Sequence, residues 1–289
     1  SGNNVANVTV VADQTAEYKE EKAANVDAIA GRVDAKATVA ENEIGDNVVV
    51  YILVKNAKQL QNALNFVNAG TTEIRFAADI KGNVTVDQQE GKNIVINGDG
   101  KMYDGTITVD GNARNTGAET LVIKSVNFKT DKQEYVYFVE QNSAQEAVRY
   151  AHNITIENCT FEGAEYGVGA RFRQCYNITF KNCTVKSGHS LAQLYGCTGV
   201  TVENVVVKNV AEGGISFGQS TNCVVDGFQV TESDNAIYGI RADANVDKGA
   251  TTLTIKNVNI TAKLPVIARY YTNPAYQINF AGENTLTAP

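Results

Sequence analysis

NITIENCTF, at Asn153–Phe161, is the phrase from which the rest of the chain can be read. It returns as NITFKNCTV at Asn177–Val185, as GVTVENVVV at Gly199–Val207 and, more loosely, as NCVVDGFQV at Asn222–Val230, at intervals of 22 to 24 residues. Weaker copies are TLVIKSVNF (Thr120–Phe128) and TLTIKNVNI (Thr252–Ile260), each set off by a longer insertion. A fixed period of this size marks a repeat architecture in which each unit buries its core only against its neighbours. Within the phrase Ile154, Ile156, Cys159 and Phe161 alternate with polar residues, which is strand periodicity broken once, at Asn158. Each copy therefore predicts two short strands joined by a bend. A third strand precedes the phrase, in Gly167–Arg173, Ser190–Tyr195 and Gly213–Gly218. Three strands and three bends per repeat predict an all-β fold, a right-handed parallel β-helix of about nine turns, whereas the Leu-x-x-Leu-x-Leu frame of a leucine-rich repeat is missing.

Equivalent residues of successive turns would stack about 4.8 Å apart. The bend column then reads Ser125, Asn158, Asn182, Asn204, Gly227 and Asn257. Asn and Gly tolerate the left-handed conformation that a sharp bend needs, and stacked amides would hydrogen-bond along the column. Residues 54–70, VKNAKQLQNALNFVNAG, predict a helix with Asn56 as N-cap, Leu60, Leu64 and Val67 on one face, and Gly70 as C-cap. That helix would plug the N-terminal end of the coil and hide its strand edges. The β-helix domain is expected over 47–289. Residues 1–46 form an arm, a linker or part of a preceding domain, with a strand at Val8–Ala12 and loose helical spacing over Glu17–Val39. The chain starts Ser1-Gly2 without Met or a leader and reads as trimmed. The C-terminal QINFAGENTLTAP has no amphipathic capping helix, so its own last residues, another subunit or a further domain would cover the coil end.

The repeat, the bend ladder and the lead-in helix resemble the pectate-lyase-like superfamily of β-helix proteins, from Val54 to the C-terminus. Lys92–Gly111, KNIVINGDGKMYDGTITVDG, resembles modules of bacterial secreted and surface proteins, including adhesins. The superfamily holds lyases, hydrolases, esterases and non-catalytic adhesins, so the resemblance implies the fold and leaves the activity open. Polygalacturonase-like hydrolases carry a paired Asp-Asp, Gly-His-Gly and Arg-Ile-Lys. Here Ala211–Gly218 and Tyr238–Asp243 lack the His, the chain has no Asp-Asp pair, and Arg241 is followed by Ala242. The Arg-x-Pro-type segment of pectate lyases is also missing.

Composition narrows the classes further. With 43% apolar residues and no apolar run long enough to cross a bilayer, the chain offers no membrane-spanning segment. A net charge of −7 and a pI of about 5.0 argue against bulk nucleic-acid binding. Proline occurs only at 265, 274 and 289, as suits interior strands. Of the five cysteines, Cys159 and Cys183 share one column and Cys175 and Cys197 another, while Cys223 points inward. They read as stacked buried thiols, or as a Cys175–Cys197 disulfide in an oxidising compartment, with one thiol left over from an odd count.

Candidate chemistry falls on the strand ahead of the phrase. Counting back from each copy puts Val168, Ala170 and Phe172 inward, and places Arg171, Arg173, Gln193, Tyr195, Ser216 and Gly218 on one outer face. The same count gives Gly239 and Arg241, with Arg269 and Tyr271 farther on, so four of the eight arginines share this face. Arg forks bind carboxylates in pairs of hydrogen bonds, and Tyr offers a flat apolar surface to a sugar ring. The face reads as a strip for a glycan, anionic or mixed, or as arginines that neutralise nearby Glu and Asp on a solvated sheet. In the loops ahead of it Glu165, His189 and Glu212 recur one repeat apart, which would set the two carboxylates about 10 Å apart with His189 between them. That spacing approaches the acid and base of an inverting glycosidase. Asp243, Asn245 and Asp247, followed by Gly249, resemble a calcium loop or form a plain polar loop, so the sequence calls for no cofactor unless calcium binds there. Three functions follow: an extracellular, adhesin-like surface module that binds glycan without catalysis, which is the reading preferred here; a polysaccharide-cleaving enzyme; or a structural stalk with no ligand.

Overall fold

The computed structural model describes residues 5–12, 35–38, 47–67, 70–111, 117–142, 150–243, 251–269 and 276–289. The repeats wind into a parallel coil whose walls are three sheets, called A, B and C in the order the chain enters them, of twelve, nine and eight strands. From Gly70 onward eight turns carry a strand in each sheet, and a ninth adds Tyr276–Ala281 to sheet A and Thr285–Thr287 to sheet B. In the repeat phrase, Asn153 to Glu157 lie in the sheet A strand His152–Glu157 and Thr160 and Phe161 in the sheet B strand Thr160–Glu162. The expected third strands are sheet C strands with the expected bounds.

Register is set by the alternation. Ile74, Ile96, Ile123, Ile156, Phe180, Val202, Val225 and Ile255 face one another across successive turns of sheet A, all of them buried. A one-residue slip would turn this whole column to solvent. In sheet B, Tyr103, Phe128 and Phe161 stack in register, with ring centroids 5.7 and 5.2 Å apart. All six residues of the predicted bend column have positive φ. The expected amide ladder is displaced, however. Asn158, Asn182 and Asn204 are exposed, and an amide-to-amide bond instead joins Asn177 Nδ2 to Asn153 Oδ1, 2.9 Å, in a second positive-φ column continued by Gly199 and Asn222.

The helix spans Ala57–Phe66, and Asn56 caps it by accepting from the Gln59 N–H at 2.9 Å. It ends at Val67 rather than at Gly70, which opens the sheet A strand Gly70–Phe76 with φ 101°. Leu60, Leu64 and Val67 are buried against the coil. Gln61 supplies both a donor to Thr85 O and an acceptor for Thr85 N, so the helix satisfies the backbone of the edge strand of sheet C. Sheet A continues past the helix through Asn47–Val54 and Val5–Ala12 to Ala35–Thr38. Ala35–Thr38 is therefore a strand, antiparallel to Val5–Ala12, in the part of the arm expected to be helical; residues 13–34 lie outside the described residues.

All five cysteines are free and buried. Cys159 stacks under Cys183 and Cys175 under Cys197, and burial drives the Cys159 and Cys175 thiols well above the usual range, keeping them protonated. At the C-terminal end the last residues add a strand to sheet B instead of folding over the coil. Phe280 and Leu286 stay exposed there, around an apolar cleft of about 540 Å³ that also takes in Val266 and Ile278. Among the described residues no helix is long and apolar enough to cross a membrane.

Candidate functional site

Sheet C positions the candidate residues through the second half of the strand Gly167–Arg173, where Ala170 and Phe172 are buried and Arg171 and Arg173 point out. Register then builds two adjacent columns on the outer face. One runs Glu140, Arg171, Gln193, Ser216, Arg241, and the other Arg173, Tyr195, Gly218, Asp243, Arg269. Arg171 and Arg241 are three rungs apart, about 14 Å. Between the columns lies an open groove of about 560 Å³ lined by Arg171, Arg173, Gln193, Tyr195, Ser216, Arg241 and Asp243, among others. Gly218 makes room for it, since a Cβ there would come within 2.7 Å of the Tyr195 ring, which is 39% exposed.

Arg241 stands one column away from its expected place. Counting by repeat length set it in line with Gly218, but residues 234–237 add to that turn, so Arg241 pairs with Ser216 and Asp243 with Gly218. Gly239 is buried, and a Cβ there would strike Ile260 and the Pro265 carbonyl. Arg269 falls in the groove column at an exposed strand end. Tyr271 lies outside the described residues.

The guanidiniums are held by protein carboxylates. Arg171 Nη2 donates to Glu140 Oε2 at 2.8 Å and stacks on Tyr137, 4.2 Å from guanidinium carbon to ring centre. Arg241 reaches Glu212 Oε1 at 3.2 Å through Nη1 and Asp243 Oδ2 at 2.9 Å through Nε, above the buried Tyr238 ring. Gly213 admits that ring, because a Cβ would sit 2.4 Å from it. The two carboxyls beside Arg241 shift in opposite directions. The hydrogen bond from His189, with His189 and Arg241 charge, holds Glu212 below the usual carboxylate range, whereas burial pushes Asp243 above it in spite of Arg241 and Arg269.

Of the three expected catalytic residues the structure joins two. His189 Nε2 is in hydrogen-bond contact with Glu212 Oε2, and the edge of the His189 ring meets Tyr135, with centroids 5.2 Å apart. His189 Nδ1 and the neighbouring Ser190 Oγ are buried without a hydrogen-bond partner. Glu165 lines a cleft of about 640 Å³ with Glu232, Asp234 and Asn235, and its charge, like that of Glu212, acts on Tyr135; among the described residues it makes no ion pair or hydrogen bond with His189. Asp243, expected as a calcium ligand, is the Arg241 partner, a cationic neighbour that disfavours a metal; Asn245 and Asp247 lie outside the described residues. Among the described residues no three His, Cys, Asp or Glu side chains stand close enough to hold an ion. Glu140, Tyr135 and Tyr137 were not anticipated. Counting back from Asn153 lands in residues 143–149, not in their strand, Val136–Gln141, or in the segment just before it.

Among curated proteins none matches the sequence. One solved structure with a similar fold is the A-module of mannuronan C-5 epimerase AlgE4 from Azotobacter vinelandii, at 11% identity and a TM-score of 0.32, covering 79% of this chain and 83% of that one. The family model for the right-handed beta helix region matches residues 82–230 and 139–278. Its two matches together run from residue 82 to residue 278, most of the coil, and on that ground the chain belongs to the right-handed beta helix family.

Proposed function

We propose that this β-helix binds a polysaccharide chain in the groove of sheet C, as a non-catalytic module of an extracellular or cell-surface protein. One observation carries the reading: four rungs in register set guanidiniums, a carboxylate, an amide, a hydroxyl and an exposed tyrosine along one open trough. Arg171 and Arg241 are already fixed by their carboxylates, so their planar donors are pre-organised and lose little freedom when a hydroxyl-rich ligand arrives. The likeness of Lys92–Gly111 to modules of secreted proteins supports the setting.

Affinity electrophoresis through gels carrying acidic or neutral polysaccharides, with and without calcium, tests this. Retardation by at least one polysaccharide is expected, weakened about tenfold by Tyr195→Ala combined with Gln193→Ala, as two lost contacts of about 0.7 kcal/mol each would give. No retardation by any member of the panel would overturn the proposal. A second reading, cleavage of the bound chain, is favoured by the opposite shifts of Glu212 and Asp243 across Arg241, the pattern of an acid and a base. New reducing or unsaturated ends that disappear in Glu212→Gln would establish it.

A further inference from the structure

The bend that leads from sheet C into sheet A is built differently from the one between sheets A and B. Where that bend uses Asn, Ser or Gly, this one holds Gln174, Gly196 and Gln219, with φ of 56°, 63° and 50°. Gln lacks the short side chain that lets Asn stabilise this conformation locally, so its presence twice in one column is strain with no folding rationale. The two glutamines border a cleft of about 470 Å³ walled by Tyr150, Tyr176 and Tyr195. Tyr150 and Tyr176 meet edge to face, with centroids 5.9 Å apart. Among the described residues no charged side chain lines this cleft. Gln174 and Tyr195 belong both to it and to the sheet C groove, so the two are continuous.

We infer that the binding path continues round this bend and that the tyrosine cleft takes neutral, hydroxyl-bearing sugar units of the bound chain. The inference rests on the proposed glycan-binding function of the groove. Tyrosine rings match the apolar face of a pyranose, and a glutamine amide both donates to and accepts from sugar hydroxyls. A carboxylated sugar would lose hydration here without gaining a cation. The groove does not reverse this preference, because Glu140, Glu212 and Asp243 already pair with Arg171 and Arg241. The ligand would thus leave the groove over Tyr195 and enter the cleft.

Calorimetric titration with xylo-, manno- and cellohexaose, and with hexagalacturonate for comparison, tests this on the wild type, Tyr176→Ala and Gln219→Gly. Gly adopts the bend conformation freely, so Gln219→Gly keeps or raises the melting temperature while removing the amide. The expected result is that a neutral hexasaccharide binds, and that each variant weakens it about tenfold. Unchanged neutral affinity in Gln219→Gly, whose fold is secure, would overturn the inference, as would a preference for hexagalacturonate, and both would leave groove binding standing. If no oligosaccharide binds the wild type, and polysaccharide gels fail to retard it, the groove reading falls and the cleft assignment with it.

Discussion

Ser125, Asn158, Asn182, Asn204, Gly227 and Asn257 hold φ between 52° and 67° at the same bend of successive turns. For an ordinary L-residue that conformation costs about 1–2 kcal/mol, which Asn reduces and Gly avoids. The choice of residue is therefore a folding signal, and it was readable because the bend interrupts a strict alternation. The second column, Asn153, Asn177, Gly199 and Asn222, is not legible in the sequence because it falls at the strand start, where the alternation gives no break. The same energetics give a test. Asn182→Ala should lower unfolding stability by about 1 kcal/mol, whereas Asn182→Gly should stay within about 0.5 kcal/mol of the wild type in chemical denaturation. Equal losses in both would mean the amide, not the backbone, matters at this bend.

At the scale of elements, the helix Ala57–Phe66 acts through one side chain as much as through its apolar face. Gln61 pairs with both polar backbone groups of Thr85 at the edge of sheet C. Gln61→Leu keeps the helix and its packing but leaves that edge open. We expect it to cost about 1–2 kcal/mol and to produce concentration-dependent association in sedimentation. The sheet C strands carry a second test, in pH. Glu212 has a folded pKa below its unfolded value, so its ionised form stabilises the native state. That contribution is complete above the unfolded pKa and is lost as pH falls through the depressed one. Asp243, raised by burial, acts in the opposite sense: its protonated form favours the fold, and its contribution fades as pH rises. Melting temperature followed through the acid range should therefore fall more steeply in the wild type than in Glu212→Gln. Parallel curves would contradict the His189–Glu212 contact. Why Glu140 and Asp243 were not read as groove residues is also an element-scale matter. The strand of Glu140 is followed by an insertion at 143–149, so counting back from the next copy of the phrase misses it, and the strand of Asp243 is preceded by the extra residues 234–237, so counting by repeat length shifts it by one column.

For the whole molecule, the architecture was legible because every turn repeats one alternation, and eight complete turns amplify a pattern that would be ambiguous once. The site was legible only in part. Arg171, Arg173, Gln193 and Tyr195 follow from the repeat, since their turns keep its length, while the pairs Arg171–Glu140 and Arg241–Glu212 join residues about 30 apart and depend on side chains no periodicity specifies. The coil thus acts as a rigid ruler that presents two columns of polar side chains. The most direct test of that claim reads those columns themselves. In a spectrum of the arginine Nε–Hε groups, assigned by single Arg→Lys variants, added polysaccharide should move the signals of Arg171 and Arg241. The signal of Arg75, paired with Glu73 on sheet A, should stay in place. If Arg171 and Arg241 stay still while the polysaccharide binds, or Arg75 moves with them, the groove on sheet C is not where this protein meets its ligand.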